Sequence, residues 1–324
     1  MRELQIKPNE AGQRFDKFLK KYLNLAPAGF IYKMLRKKNI TLNEKRAEGG
    51  EILHVNDKVR LFLAEETLEK FHGRETSYQP VTSHGNLSIL YEDEDIILAN
   101  KPAGLLSQKA KPSDVSFNEI MIDYLVNHGT ISIEEFSTFK PSVCNRLDRN
   151  TSGIISFGKT LRGVQMLSKG FKEKQFEKYY LCVVKGVIRK RKAVDGFLVK
   201  DEKTNRVSVE KLRTEGAEYI LTEYVPVCDN GRFTVLKVRL HTGKTHQIRA
   251  HLSSMGHPVV GDFKYGEKKL NGEVQRKYNI SSQLLHGYEL VIPEKKLDIT
   301  APIPEKMMDF LKGEHLWESG KQEV

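Results

Sequence analysis

The chain has 324 residues, 39% hydrophobic and 29% charged, and a formal net charge of +11. That length supports a sizeable core and suggests two domains. No apolar run approaches a membrane span, and the opening Met1-Arg2-Glu3-Leu4-Gln5 lacks the apolar centre of a signal peptide. Three cysteines, Cys144, Cys182 and Cys228, are odd in number and far apart, which argues for reduced thiols in a cytoplasm and against a disulfide framework or metal-type spacing.

The positive charge is concentrated at the start. Residues 1–64 hold 14 Lys and Arg against 7 Asp and Glu, and such a field points to a polyanion, nucleic acid before anionic membrane. Phe15, Phe18, Leu19 and Tyr22 fall at the spacing of an amphipathic helix. After Ala26-Pro27-Ala28-Gly29 the spacing returns at Ile31, Met34 and Leu35, with Lys33, Arg36, Lys37 and Lys38 on the remaining faces. Asn39 reads as a helix stop, Ile40-Thr41-Leu42-Asn43 as a short strand, and Val59-Arg60-Leu61-Phe62-Leu63 as a half-buried strand after a turn at Asn56-Asp57-Lys58. Two basic helices on a small sheet would offer cations to a phosphate backbone, a contact that gives affinity and register without base identity. Residues 65–84 are polar and weakly patterned and read as a linker.

The remainder, 85–324, reads as a second domain. Ile89-Leu90-Tyr91 and Ile96-Ile97-Leu98-Ala99 flank an acidic turn and predict a hairpin. Asn100-Lys101-Pro102-Ala103-Gly104 then starts a loop. Phe117, Ile120, Met121, Tyr124 and Leu125 mark an amphipathic helix. The stretch that organises the domain is Asn145-Arg146-Leu147-Asp148-Arg149-Asn150-Thr151-Ser152-Gly153. A carboxylate between two arginines is ordinarily a surface ion pair of small weight. Here it precedes Gly153-Ile154-Ile155-Ser156-Phe157, an apolar buried strand, so Asp148 sits on a loop held by a rigid element, where reactive groups are commonly placed. Leu161 to Phe171 reads as a helix, and Lys178-Tyr179-Tyr180-Leu181-Cys182-Val183-Val184-Lys185-Gly186 as a strand whose two tyrosines face opposite ways. Lys190-Arg191-Lys192 reads as a basic turn. The strand from Arg232 to Leu240 runs into His241-Thr242-Gly243-Lys244-Thr245-His246-Gln247-Ile248-Arg249-Ala250-His251-Leu252, where Thr245 is the expected N-cap and Ile248, Leu252 and Met255 form one apolar face. His246 and His251 are five apart, off the spacing of helical zinc pairs, so no metal is expected. Leu284-Leu285-His286-Gly287-Tyr288-Glu289-Leu290 alternates as a strand. Met307, Met308 and Leu311 allow a terminal helix, with a frayed end beyond Trp317.

The Asp148 segment resembles the catalytic motif of RNA pseudouridine synthases, His-Arg-Leu-Asp-x-x-Thr-Ser-Gly, with Asn145 at the His position. Gly243-Lys244-Thr245-His246-Gln247-Ile248-Arg249-Ala250-His251-Leu252 is similar to a second motif of the same family, with Lys244 in place of its first Arg. Further matches lie at Asn100 to Gly104, at Gly256 to Asp262 and at Leu284 to Leu290. Residues 1–64 resemble the alpha-L RNA-binding motif attached to many such enzymes. The resemblance implies Asp148 as catalytic aspartate, Arg249 as the cation that pairs with it and favours its charged form, and Tyr180 as the active-site tyrosine that stacks on the target base. It makes Arg146 a candidate to fill the gap left by a flipped uridine, and it implies no metal or organic cofactor.

The expected fold is α+β: a small module at 1–64, a linker at 65–84 and a catalytic domain at 85–324 around a mostly antiparallel sheet. The expected function is isomerisation of uridine in RNA, most simply large-subunit ribosomal RNA, by a cytoplasmic monomer. The expected RNA contacts are Arg146, Lys33, Arg36, Lys37, Lys38 and Lys244. Two alternatives share these residues: a non-catalytic RNA-binding or ribosome-assembly protein, and a nucleoside glycosylase that admits water and releases free uracil.

Overall fold

The computed structural model describes residues 1–73, 78, 80, 81, 87–201, 204 and 206–317. The expectation of a frayed end beyond Trp317 falls outside them. The chain opens with strand β1 (Arg2–Gln5), helices α1 (Phe15–Tyr22) and α2 (Ala28–Arg36), strands β2 (Ile40–Leu42), β3 (Lys45–Arg46) and β4 (Lys58–Leu61), and helix α3 (Glu65–Phe71). The four strands form one sheet in the order β1-β4-β2-β3. Phe15, Phe18, Leu19, Ile31, Leu35, Val59 and Leu61 are at most 1% exposed and make a core of their own. The two helical stripes in the sequence therefore pack on the sheet as their spacing requires.

Two local readings are corrected here. The expected linker begins with α3, whose Leu68 is fully buried in the same core. The helix was hidden because only Leu68 and Phe71 of its seven residues pack on that core. The expected stop at Asn39 falls one residue earlier, at Lys38, which takes the left-handed conformation with φ 59°.

The second part of the chain carries an eleven-stranded sheet. In chain order its elements are β5 (Ser88–Glu92), β6 (Ile96–Lys101), α4 (Phe117–Asn127), β7 (Ser142–Val143), β8 (Ser152–Gly158), α5 (Leu161–Lys172), β9 (Glu177–Lys185), β10 (Lys192–Asp201), β11 (Arg206–Glu210), β12 (Glu218–Asp229), β13 (Phe233–Leu240), α6 (Gln247–Ser254), α7 (Lys268–Tyr278), β14 (Leu285–Ile292), β15 (Leu297–Thr300) and α8 (Glu305–Gly313). The main path is β11-β10-β12-β13-β9-β14-β8-β6-β5, with β15 on β14 and β7 on β8. Every pairing is antiparallel except β14 with β8.

Both faces of the central strands are covered. On β9, Tyr180, Cys182 and Val184 join the core beneath α4 and α6, while Leu181 and Val183 join the one beneath α7 and α8. A strand buried on both sides reads as a continuous apolar run rather than an alternation. Each such side chain removed from water contributes about 1.5–3 kcal/mol. The parallel contact between β14 and β8 pairs Gly287 with Gly153, and Gly287 also faces Tyr180 across β9. A Cβ on Gly153, which has φ +122°, would lie 2.2 Å from the Gly287 carbonyl oxygen. Glycine is required at that crossing, and the row it creates sets Tyr180 beside the start of the strand that follows Asp148.

Candidate active site

The Asp148 loop is stitched to the loop that follows β6. The Ser107 hydroxyl donates to the Leu147 carbonyl at 2.8 Å and accepts the Leu147 N–H at 3.0 Å. Gly104 N–H donates to the Arg149 carbonyl at 2.9 Å, and Arg149 Nε donates back to the Gly104 carbonyl at 3.2 Å. Lys101 is fully buried, and its ammonium donates to the carbonyls of Pro102, Leu105 and Arg149 at 2.8, 2.7 and 3.1 Å. Burial pulls its pKa down to about 7, with the Asp148 charge acting the other way. On the far side of the loop the Thr151 N–H closes a turn onto the Asp148 carbonyl at 3.0 Å.

Asn145, at the resembling motif's His position, has a defined task. Its carboxamide oxygen accepts from Ser156 N and Ser156 Oγ at 2.7 and 2.9 Å, and its Nδ2 donates to the Ile154 carbonyl at 3.2 Å. It ties the start of the loop to β8 with both ends of one side chain, a role that an amide's paired donor and acceptor suit.

Asp148 meets Arg249 across 101 residues of sequence: Arg249 Nη1 donates to Asp148 Oδ2 at 2.8 Å. The other side of the same guanidinium is taken by Asp262, through Nε to Oδ2 at 2.7 Å and Nη2 to Oδ1 at 3.0 Å. Arg249 is 7% exposed and Asp262 1%. The two-pronged fork fixes the plane of the guanidinium and leaves one corner for Asp148. Burial works against both charges, yet the Arg249 hydrogen bonds hold Asp262 below the usual carboxylate range, and Asp262 in turn raises Arg249. Tyr265 lies under the guanidinium, its ring centre 5.2 Å away, and its hydroxyl is 2.9 Å from His246 Nδ1. His246 Nε2 is 4.0 Å from Asp148 Oδ2, and burial pulls its pKa down against the pull of Asp148.

Helix α6 delivers Arg249 in a way the sequence did not announce. Thr245, the expected N-cap, is not the cap. His246 occupies that position in the left-handed conformation, with φ 55°. Gln247, the first helical residue, reaches back into the preceding turn: its Oε1 accepts the Lys244 N–H at 3.1 Å and the Thr242 hydroxyl at 3.0 Å. The turn swings His246 toward Asp148 while Ile248 and Leu252 go into the core. The three histidines take separate partners, His241 at Glu223, His246 at Tyr265 and His251 at Thr222. Among the described residues no His, Cys, Asp or Glu cluster could hold a metal ion.

Tyr180 is 8% exposed in the core beside the loop. Burial, and then the Asp148 charge, push its hydroxyl upward, so it stays protonated at neutral pH. Arg146 is exposed next to the site. Lys244 pairs with Glu218. Lys33, Arg36, Lys37 and Lys38, on α2 and the turn after it, are all exposed and without an ion pair among the described residues. The sequence reading gave no role to Asp262, Tyr265, Lys101 or Asn145. Asp262 follows the apolar run Val259-Val260-Gly261, and a carboxylate buried at such a place takes a partner.

A buried arginine holds a quarter-exposed aspartate on a helix-covered mixed sheet, and together they make a carboxylate site. The fold is that of the human RNA pseudouridylate synthase domain-containing proteins 4 and 1. Their solved structures superpose with TM-scores of 0.59 and 0.52, at 21% and 22% identity, over 70% and 72% of this chain and 93% and 98% of theirs. The RNA pseudouridylate synthase family model matches residues 95–254. Ribosomal large subunit pseudouridine synthase C of Buchnera aphidicola (subsp. Schizaphis graminum) is 30% identical over 95% of this chain and 96% of its own. The synthases C of Pasteurella multocida and Vibrio cholerae are 30% and 29% identical, over 95% and 93% of this chain and 92% of each of theirs. The chain belongs to the RNA pseudouridine synthase family and is an isomerase of that kind.

Proposed function

We propose that this enzyme converts specific uridines of large-subunit ribosomal RNA to pseudouridine, with Asp148 as the group that acts on the sugar. The reaction breaks N1–C1′ and makes C5–C1′; the proton on C5 leaves and N1, freed from the sugar, takes one up, so that no atom is gained or lost overall. A carboxylate that is one-quarter exposed yet held at 2.8 Å by a buried guanidinium is suited to meet C1′ of a flipped nucleotide. That contact is the observation that carries the reading. Extruding the uridine costs a few kcal/mol, least in loops and bulges. Tyr180 stacks on the extruded base with its hydroxyl protonated, and Arg146 fills the space the base leaves.

Residues 1–64 act as an alpha-L type RNA-binding module ahead of the catalytic part, 85–324, with Lys33, Arg36, Lys37 and Lys38 on phosphates. All the site residues come from one chain, so a monomer suffices. Among the described residues no helix is long and apolar enough to cross a membrane, which agrees with work on ribosomal RNA in the cytoplasm. The choice of large-subunit RNA is supported by the names of the relatives. Mapping pseudouridines in total RNA from cells with and without the gene tests it: the reading expects the loss of one or a few sites in large-subunit RNA. Loss confined to transfer RNA, or no loss, contradicts it.

A further inference from the structure

Phe263 is 47% exposed and sits between two residues of the site. Single exposed apolar side chains are ordinary, so exposure alone decides nothing. Its surroundings give this one meaning. The turn that carries it is fixed in advance: Asp262, clamped on Arg249, accepts the N–H groups of Lys264 and Tyr265 at 2.9 and 3.0 Å, and its carbonyl accepts Gly266 N–H at 2.8 Å. The chain enters the turn through Gly261, φ +79°, where a Cβ would lie 2.3 Å from the Ser282 carbonyl oxygen.

Cations gather on the same turn. Arg206, on the edge strand β11, donates to the Lys264 carbonyl and stands 5.5 Å from the Tyr265 ring centre, and the Lys264 ammonium stands 5.9 Å from that ring. A few residues on, Lys268 and Lys269 open α7 exposed, with no ion pair among the described residues, while Glu267 before them is paired with Lys185. An aromatic face on a rigid turn, followed by a run of ammonium groups, is the arrangement that binds a single strand through stacking and phosphate contacts. Because the turn is already ordered, stacking on Phe263 loses little further freedom.

We propose that Phe263 is a stacking platform for an unpaired nucleobase flanking the target uridine, and that the RNA strand leaves the site over Lys264, Lys268 and Lys269. The inference rests on the reading that the reaction centre is at Asp148, and the experiment separates the two. Binding of a fluorescein-labelled single-stranded oligouridylate 12-mer is measured by anisotropy against salt, in the Asp148→Asn background, so that no chemistry intervenes. Phe263→Ala should weaken binding about 5- to 150-fold, Phe263→Trp should restore it, and Phe263→Leu should not. The salt slope should be unchanged in Phe263→Ala and should fall by about 1.4 in the Lys268→Ala/Lys269→Ala double variant, at about 0.7 per phosphate of a single strand. Binding by Phe263→Ala equal to its parent overturns the proposal, as does rescue by leucine equal to rescue by tryptophan, which would mark a merely apolar contact such as a protein partner. Persistent isomerisation by Asp148→Asn would sink the reading of the reaction centre and leave the binding result standing.

Discussion

Replacing Arg249 by lysine keeps the charge and removes the fork. Arg249 makes three charge-assisted hydrogen bonds, two to Asp262 and one to Asp148, at 2.7 to 3.0 Å. One ammonium in the same place serves one carboxylate well and leaves the other short of a donor. Losing two such bonds at about 1.5–3 kcal/mol each gives about 3–6 kcal/mol, and breaking a buried ion pair from one side costs about 3–5 kcal/mol. The two ranges overlap, and Asp262, 1% exposed, has no water to fall back on. Urea unfolding of Arg249→Lys should therefore show a loss of about 3–5 kcal/mol. Asp148 also loses its aim, so tritium release from 5-tritiated uridine in RNA, under single-turnover conditions, should slow by about a hundredfold. A variant within about 1 kcal/mol and about threefold of the parent would refute the claim that the guanidinium fork builds the site.

Three other outcomes follow from the same geometry. Gly153→Ala places a Cβ 2.2 Å from the Gly287 carbonyl at φ +122°; it should cost more than about 4 kcal/mol and yield insoluble protein, whereas Gly231→Ala, a positive-φ site with no atom within 4 Å of the added Cβ, should cost only about 1 kcal/mol. Asp16 is 4% exposed, and although burial raises its pKa, the hydrogen bonds from Tyr32, Arg14 and Lys20 bring it down to about 2. A folded value below the unfolded one gives stability that is present above about pH 4 and lost as pH falls toward 2. Asp16→Asn should thus cost about 2 kcal/mol in urea at pH 7 and converge with the parent in acid. Replacing Lys33, Arg36, Lys37 and Lys38 together by alanine should weaken binding to ribosomal RNA fragments of any sequence and lower the salt slope by about 3–4; an unchanged slope would remove α2 from the RNA contact.

The parts of the fold that could be read from sequence are those where one period dominates. The stripe at Phe15, Phe18, Leu19 and Tyr22 and the apolar run of β9 each had a single structural solution, and both elements stand where that solution puts them. The strand β12 was missed because its inward positions include Thr222 and Tyr224, 0% and 1% exposed, which do not stand out from the polar residues between them, and β10 because only Gly196 and Leu198 of its residues are buried. At the site, the motif brought Asp148 and Arg249 to notice, but the arrangement around them depends on contacts that no local pattern encodes. The cap at α6 is His246 rather than Thr245, in a turn braced by the Gln247 side chain reaching back to Thr242 and the Lys244 N–H. Asn145 looked like a defect in a motif and is a brace to Ser156 and Ile154. Asp262 entered only as the end of a matching segment, and the fold alone shows that it is buried and that its partner is the arginine already singled out.

The most direct test is a single-turnover measurement on Asp148→Asn with an RNA carrying the mapped target. The substitution keeps the shape of the side chain and its hydrogen bond to Arg249 while removing the charge. Pseudouridine formation should fall below detection while the dissociation constant for that RNA changes little. Isomerisation at a rate near the parent's, with the same RNA bound, would mean that the chemistry is done by some other group.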